Sequence, residues 1–133
     1  AIGIEQLKKF KKIKSLRQNL AKYYDRKIKL IVGLRSINRN YRDIVPHIYP
    51  VIIENEKYRD ELRKYLAKND IETGIHYFPN HLLTLYGKGK HKLKKTEEIY
   101  SRILTLPLHP SLTKKDINLV VQKINIFFNE ASS

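Results

Sequence analysis

A two-layer α/β domain with a modest, mainly antiparallel sheet is the fold class predicted by three features of this 133-residue chain. Apolar residues recur at helical spacing near 4–24, 57–68 and 113–130. Runs of strand length, β-branched at 48–53 and alternating at 71–77, lie between them. With 41% hydrophobic and 30% charged residues, and no internal repeat or low-complexity segment, the chain has enough apolar material for one core.

The first helix rests on Ile4, Leu7, Phe10, Ile13, Leu16, Leu20 and Tyr23, uninterrupted by Gly or Pro after Gly3. A helix of this length spans about 30 Å, more than a compact domain of this size needs, and so reads as a connector. Lys8, Lys9, Lys11, Lys12 and Lys14 are its wet face. Leu30, Ile31, Val32 and Leu34 suggest a short strand, and 38–43 a polar loop. Pro50 cannot donate to a ladder, which puts the strand at 48–53 at an edge or makes its start irregular. Tyr58, Leu62, Tyr65 and Leu66 share one face of the next helix, which Asn69-Asp70 ends. Alternation then sets Ile71, Thr73, Ile75 and Tyr77 on one side of a strand and Glu72, Gly74 and His76 on the other.

A short helix over 81–86, a basic loop at Gly87-Lys88-Gly89-Lys90-His91-Lys92 and a helix from Lys95 to Ile103 follow. Pro107 and Pro110 fix a short extended piece at 104–108. Thr113 and Asp116 approximate a capping box, with Leu112 and Ile117 as a hydrophobic staple, opening a helix whose apolar face is Ile117, Val120, Val121, Ile124, Phe127 and Phe128. Ala131-Ser132-Ser133 is a tail.

Cysteine is absent, which excludes disulfides, thiolate nucleophiles and sulfur-based zinc sites. Methionine is also absent and the chain begins Ala1-Ile2-Gly3, so a piece of a larger protein is expected. No apolar run is long enough to span a bilayer and no signal-peptide pattern opens the sequence, so no membrane partner and a cytoplasmic location are expected. The common nucleotide-binding, hydrolase and metalloprotease motifs are missing.

The densest polar group is His76, Tyr77 and His81, suited to hydrogen bonding with a polar substrate. A purely structural role for the two histidines is the alternative, and a metal site lacks a third ligand nearby in sequence. His47 and His109, each beside Pro, are read as structural, and Arg59-Asp60 as a solvated pair on a helix face. Gly87-Lys88-Gly89-Lys90 could hold a phosphate but lacks the strand-loop-helix setting of a P-loop. The formal charge of +14 admits a nucleic-acid-binding or non-catalytic interaction domain as an alternative. The basic residues are dispersed, however, and no RNA-binding signature is present, so nucleic acid is not the expected partner.

Three segments together resemble the DegT/DnrJ/EryC1/StrS family of pyridoxal-phosphate-dependent sugar aminotransferases. Ala1-Ile2-Gly3-Ile4-Glu5-Gln6-Leu7 is similar to the start of that family's long helix. Arg59-Asp60-Glu61-Leu62, then Ile71 through Tyr77 with Pro79, His81 and Tyr86, is similar to its middle motif. Leu106-Pro107-Leu108-His109-Pro110-Ser111-Leu112-Thr113 is similar to its last.

The resemblance implies a connecting helix at 1–28 and a C-terminal small domain at 29–133, as in fold-type I aminotransferases. The large cofactor-binding domain would precede Ala1. It also implies a parent that moves an amino group from glutamate to a keto carbon of a nucleotide-linked sugar, with pyridoxal 5′-phosphate as cofactor and a homodimeric assembly. His76, Tyr77 and His81 become candidate substrate contacts. No lysine here matches the family's Schiff-base motif, so this chain is expected to supply no catalytic or cofactor-binding residue and to be inactive alone. Pro50 and Asp70 depart from the family pattern, Asp70 standing where Gly is common.

Overall fold

A computed structural model describes residues 2–86 and 91–131. The described elements are α1 (Ile2–Ile28), β1 (Leu34–Ser36), β2 (Tyr49–Ile53), α2 (Lys57–Ala67), α3 (Lys94–Arg102), β3 (Ile103–Leu106) and α4 (Lys114–Ala131), with 3-10 turns at Asn80–Leu82 and Thr84–Tyr86. The strands form an antiparallel sheet in the order β1-β2-β3, so the expected α/β class holds. Gly87 to Lys90, Ala1 and the two terminal serines, on which the basic loop, the first motif residue and the tail were placed, lie outside the described residues.

Alternation decides which sheet face is buried against helices. Tyr49 pairs with Leu106 and Val51 with Leu104. These four, with Ile53 and Leu34, enter one core with Leu20, Tyr24 and Ile28 of α1, Leu62 and Leu66 of α2, and Ile117, Ile124 and Phe128 of α4. The other face carries Pro50, Ile52, Ile103 and Thr105, and α3 lies beside β2. The capping box at α4 forms as its sequence predicts. The Asp116 carboxylate accepts the Thr113 backbone N–H at 2.7 Å, and the Asp116 N–H donates to Thr113 Oγ1 at 3.3 Å.

The strand expected at 30–34 is displaced. Helix α1 runs to Ile28, the Leu30 and Ile31 amides bond back to Lys27 and Ile28, and Leu30 and Val32 are exposed. Gly33 then takes φ +84°, with the Phe128 ring 3.0 Å from where a Cβ would stand. That left-handed step, open to glycine at little cost, turns the chain into β1.

Segment 71–77 is not a strand. Only Gly74 pairs, exchanging two backbone hydrogen bonds with Thr105 at 3.0 and 2.8 Å. Toward Glu72 the next bonded pair on the antiparallel pattern would need an N–H from Pro107, which has none, so the ladder is not completed on that side. The sheet's third strand is instead the Ile103–Leu106 run, which the sequence marked only as an extended piece. The Thr105 amide and carbonyl both face Gly74, so Pro50 and Thr105 are a non-hydrogen-bonded pair. Pro50 therefore faces the β1 side, and β1 ends opposite Val51. A proline is thus accommodated in a central strand, where its carbonyl accepts from Arg39 Nη2 at 2.6 Å.

A polar hub fastens the end of α1 to the β1–β2 connection. Asp25 Oδ1 accepts from Tyr49 Oη at 2.6 Å and from Arg39 Nη1 at 3.3 Å, and Oδ2 accepts from Tyr41 Oη. The Arg39 guanidinium lies 4.4 Å from the Tyr49 ring centroid, and Tyr49 stacks on Tyr24 at 4.6 Å. Burial first, then the bond to Asp25, holds the Tyr49 and Tyr41 hydroxyls well above the usual tyrosine range.

Arg59 is not solvated as its motif suggested. It is buried, lies over the Tyr100 ring and donates to the Tyr100 carbonyl at 3.3 Å, tying α2 to the end of α3. Asp60 is the exposed member of the pair.

Asp70 has φ +58° where the chain leaves α2, with the Ile71 amide bonded to the Leu66 carbonyl at 3.0 Å. This is the left-handed helix stop that glycine fills best. Asp70→Gly is therefore expected to raise unfolding stability by about 0.5–1 kcal/mol, read as a shift in urea midpoint at unchanged m.

Candidate substrate-contact site

The three residues singled out from the sequence sit on one connection between α2 and α3, but the structure groups them unequally. His76 is half-buried. Its Nδ1 lies 3.0 Å from Thr105 Oγ1, and its ring meets Tyr77 edge-on at 4.8 Å across a cis peptide bond. Thr105 belongs to β3 and is itself buried. Gly74 makes room for this arrangement, because a Cβ there would stand 2.4 Å from His76 Cε1. His76 Nε2 makes no hydrogen bond with the described residues.

Two depressions meet at His76. One is bordered by Glu72, Gly74, Thr105, His47 and His109. The other is bordered by Tyr77, Pro79, Ile99, Tyr100 and Ile103. His47 and His109, read as structural, thus come to the same hollow as His76. The His47 and Leu108 carbonyls accept from Arg17 Nη1 at 2.8 and 3.2 Å, which fixes both loops to α1.

Tyr77 is 72% exposed, and with Tyr86, His91 and Thr96 it borders a third hollow that also reaches His81. His81 is turned inward. Its side chain is 9% exposed, and Nε2 lies 2.9 Å from Glu97 Oε1. Glu97 also accepts the Leu93 N–H at 3.1 Å, so one carboxylate caps α3 and holds the 3-10 turn carrying His81. His81 borders the hollow, but its Nε2 serves that internal contact.

Sequence reasoning missed Thr105 and Glu97. Thr105 is a lone hydroxyl in the apolar run Ile103–Leu106, a signal that something polar lies opposite, but its partner is 29 positions away.

The hydrogen bond with His81, then the Leu93 amide, holds the Glu97 carboxyl below its ordinary 4.5, and the Thr113 amide and hydroxyl hold Asp116 below 3.8. A carboxyl depressed in the folded state contributes stability that is complete above its unfolded value and is lost as pH falls through that value toward the folded one. Acid titration followed by circular dichroism should therefore show helix loss beginning in the ordinary carboxylate range. Glu97→Gln and Asp116→Asn should each flatten that limb.

The hollow around His76, Glu72 and His109 has no lysine among its bordering residues, and Lys95 on α3 is exposed. Among the described residues there is no cluster of three or more metal-ligating side chains. None of the described helices is long and apolar enough to cross a membrane.

The fold and this connection define a helix-backed small domain that presents aromatic and imidazole groups from one loop beside its sheet. The chain belongs to the DegT/DnrJ/EryC1/StrS aminotransferase family, whose profile matches residues 1–125. It is 30% identical to UDP-4-amino-4,6-dideoxy-N-acetyl-beta-L-altrosamine transaminase of Campylobacter jejuni, over 90% of this chain and 33% of that protein. It is 27% identical to GDP-perosamine synthase of Escherichia coli O157:H7, over 98% of this chain and 35% of that protein. Among solved structures, the aminotransferase TlmJ from Streptoalloteichus hindustanus superposes with a TM-score of 0.86 at 25% identity, covering 98% of this chain and 35% of that one. The chain thus spans about a third of the length of these relatives.

Proposed function

We propose that this chain is the C-terminal small domain, with its connecting helix at 1–28 and the domain proper at 29–133, of a pyridoxal-phosphate-dependent nucleotide-sugar aminotransferase. The parent works in the cytoplasm as a homodimer and transfers the amino group of glutamate to a keto-sugar nucleotide. The observation that carries this reading is the family match along nearly the whole chain, joined to coverage of only a third of each relative. The Schiff-base lysine and the cofactor pocket belong to the part of the parent preceding Ala1. His76, Tyr77 and His81 contribute on the substrate side, His76 and Tyr77 by direct contact and His81 by holding the loop on Glu97.

The apolar stripe of Ile4, Leu7 and Phe10 supports the connector role of α1, because these residues are 61, 73 and 47% exposed. In the parent they pack on the preceding domain.

The test is expression from the full reading frame. Absorbance between about 320 and 430 nm, lost on borohydride treatment and leaving a labelled lysine upstream of Ala1, is the expected result. A full-length product without cofactor would overturn the reading. In that enzyme His76→Ala should raise KM for the nucleotide sugar about tenfold, the loss of one hydrogen bond to substrate. His81→Ala should chiefly lower thermal stability.

A further inference from the structure

We infer that Thr105 is a positioning residue for His76, fixing the imidazole as its Nε2–H tautomer, so that His76 offers the substrate a hydrogen-bond donor. This rests on the reading of His76 as a substrate contact and adds the chemistry of that contact: the group opposite Nε2 is an oxygen acceptor, a sugar hydroxyl, carbonyl or phosphate oxygen.

Thr105 is 5% exposed, and among the described residues its side chain makes one hydrogen bond, to His76 Nδ1. A hydroxyl has one proton to donate. If it accepted from Nδ1–H, that proton would be left without a partner in a buried place, a cost of about 1–3 kcal/mol. If it donates to the Nδ1 lone pair, both groups are satisfied at once. The ring proton then stands on Nε2, the nitrogen with no partner among the described residues.

A hydroxyl can donate to a bare imidazole nitrogen, which neither a carboxylate nor a backbone carbonyl can do. A carboxylate at this position would favour the charged ring, and a backbone carbonyl could only accept. Threonine does neither, which suits a ring that binds an oxygen without taking a proton from it.

The backbone keeps the two groups in register. Thr105 grips the Gly74–His76 segment at three points: the Gly74 amide donates to its carbonyl, its amide donates to the Gly74 carbonyl, and its hydroxyl meets the ring. Gly74 carries no side chain in the space the ring occupies. Thr105 itself is held by its place in β3 opposite Pro50.

The deciding measurement is a long-range proton–nitrogen correlation spectrum of the nitrogen-15-labelled protein, at about two pH units above the ordinary histidine value. His76 is expected as the Nε2–H tautomer with Nδ1 bare and hydrogen-bonded. The Nδ1 shift should move toward that of free imidazole in Thr105→Val and return in Thr105→Ser. A wild-type Nδ1–H tautomer overturns the inference without recourse to any variant. In the full-length enzyme, Thr105→Val should raise KM for the nucleotide sugar about tenfold with kcat nearly unchanged, Thr105→Ser should restore it, and His76→Ala should leave Thr105→Val no further effect. If His76→Ala leaves KM unchanged, the substrate-contact reading fails, while the tautomer still decides the role of Thr105. If His76→Ala raises KM and Thr105→Val does not, positioning by Thr105 is what fails.

Discussion

Asp25→Ala is expected to lower unfolding stability by about 3–5 kcal/mol, the cost of removing one member of a largely buried ion pair. Arg39 is 8% exposed at its side chain and, among the described residues, would keep the Ile37 and Pro50 carbonyls as acceptors. Two phenol hydroxyls lose their acceptor in the same stroke, and Tyr49 is fully buried. Asp25→Asn keeps a carbonyl oxygen for one hydroxyl and should cost about half as much. Urea denaturation of both variants, read at unchanged m, checks the order. A loss below about 1 kcal/mol for Asp25→Ala would show that the hub is dispensable. Against a typical total of about 5–15 kcal/mol, the expected loss leaves a marginal domain.

Leu104→Ala should cost about 2–5 kcal/mol by transfer and cavity together. Leu104 is fully buried on the helix-facing side of β3, opposite Val51 and in one core with Leu62, Leu66 and Ile117. That centre is closed in by sheet on one side and helices on the other, so little can relax into the space. Leu85→Ala removes the same atoms from a residue 86% exposed and should change stability by less than about 0.5 kcal/mol. The difference between the two thermal midpoints tests whether the apolar assignments, and not leucine content, account for stability.

Local grammar was legible in the sequence wherever partners lie within a turn or two. The apolar face of α4, its capping box, the run of α2 and the β-branched strand at Tyr49–Ile53 all follow from spacing. Residues 71–77 misled because alternation reports what a pleated segment would bury, not whether a neighbour can pair with it. Pro107, 33 positions after Gly74, withholds the next bond on the Glu72 side. The same limit hid the site's supports. His76 and His81 stood out as polar residues in one short run, whereas Thr105 and Glu97, which hold them, come from later elements that only the fold brings close. Asp25 carries no such signal, because Tyr41, Tyr49 and Arg39, which meet it, lie 14 to 24 positions later.

The first turns of α1 have a mechanical meaning. Arg17 and Gln18 pin the helix to the 41–47 loop through main-chain carbonyls, while residues 2–12 are exposed along their whole length. From Gln18 back to Ile2 the helix extends about 24 Å at about 1.5 Å per residue. It is a lever with its fulcrum at the pinned end. A tilt of about 10° there carries Ile2 through about 4 Å, roughly the distance that separates two packed side chains from two that no longer touch. Small adjustments among Arg17, Gln18 and the carbonyls they hold are thus magnified into displacement at whatever rests on Ile4, Leu7 and Phe10.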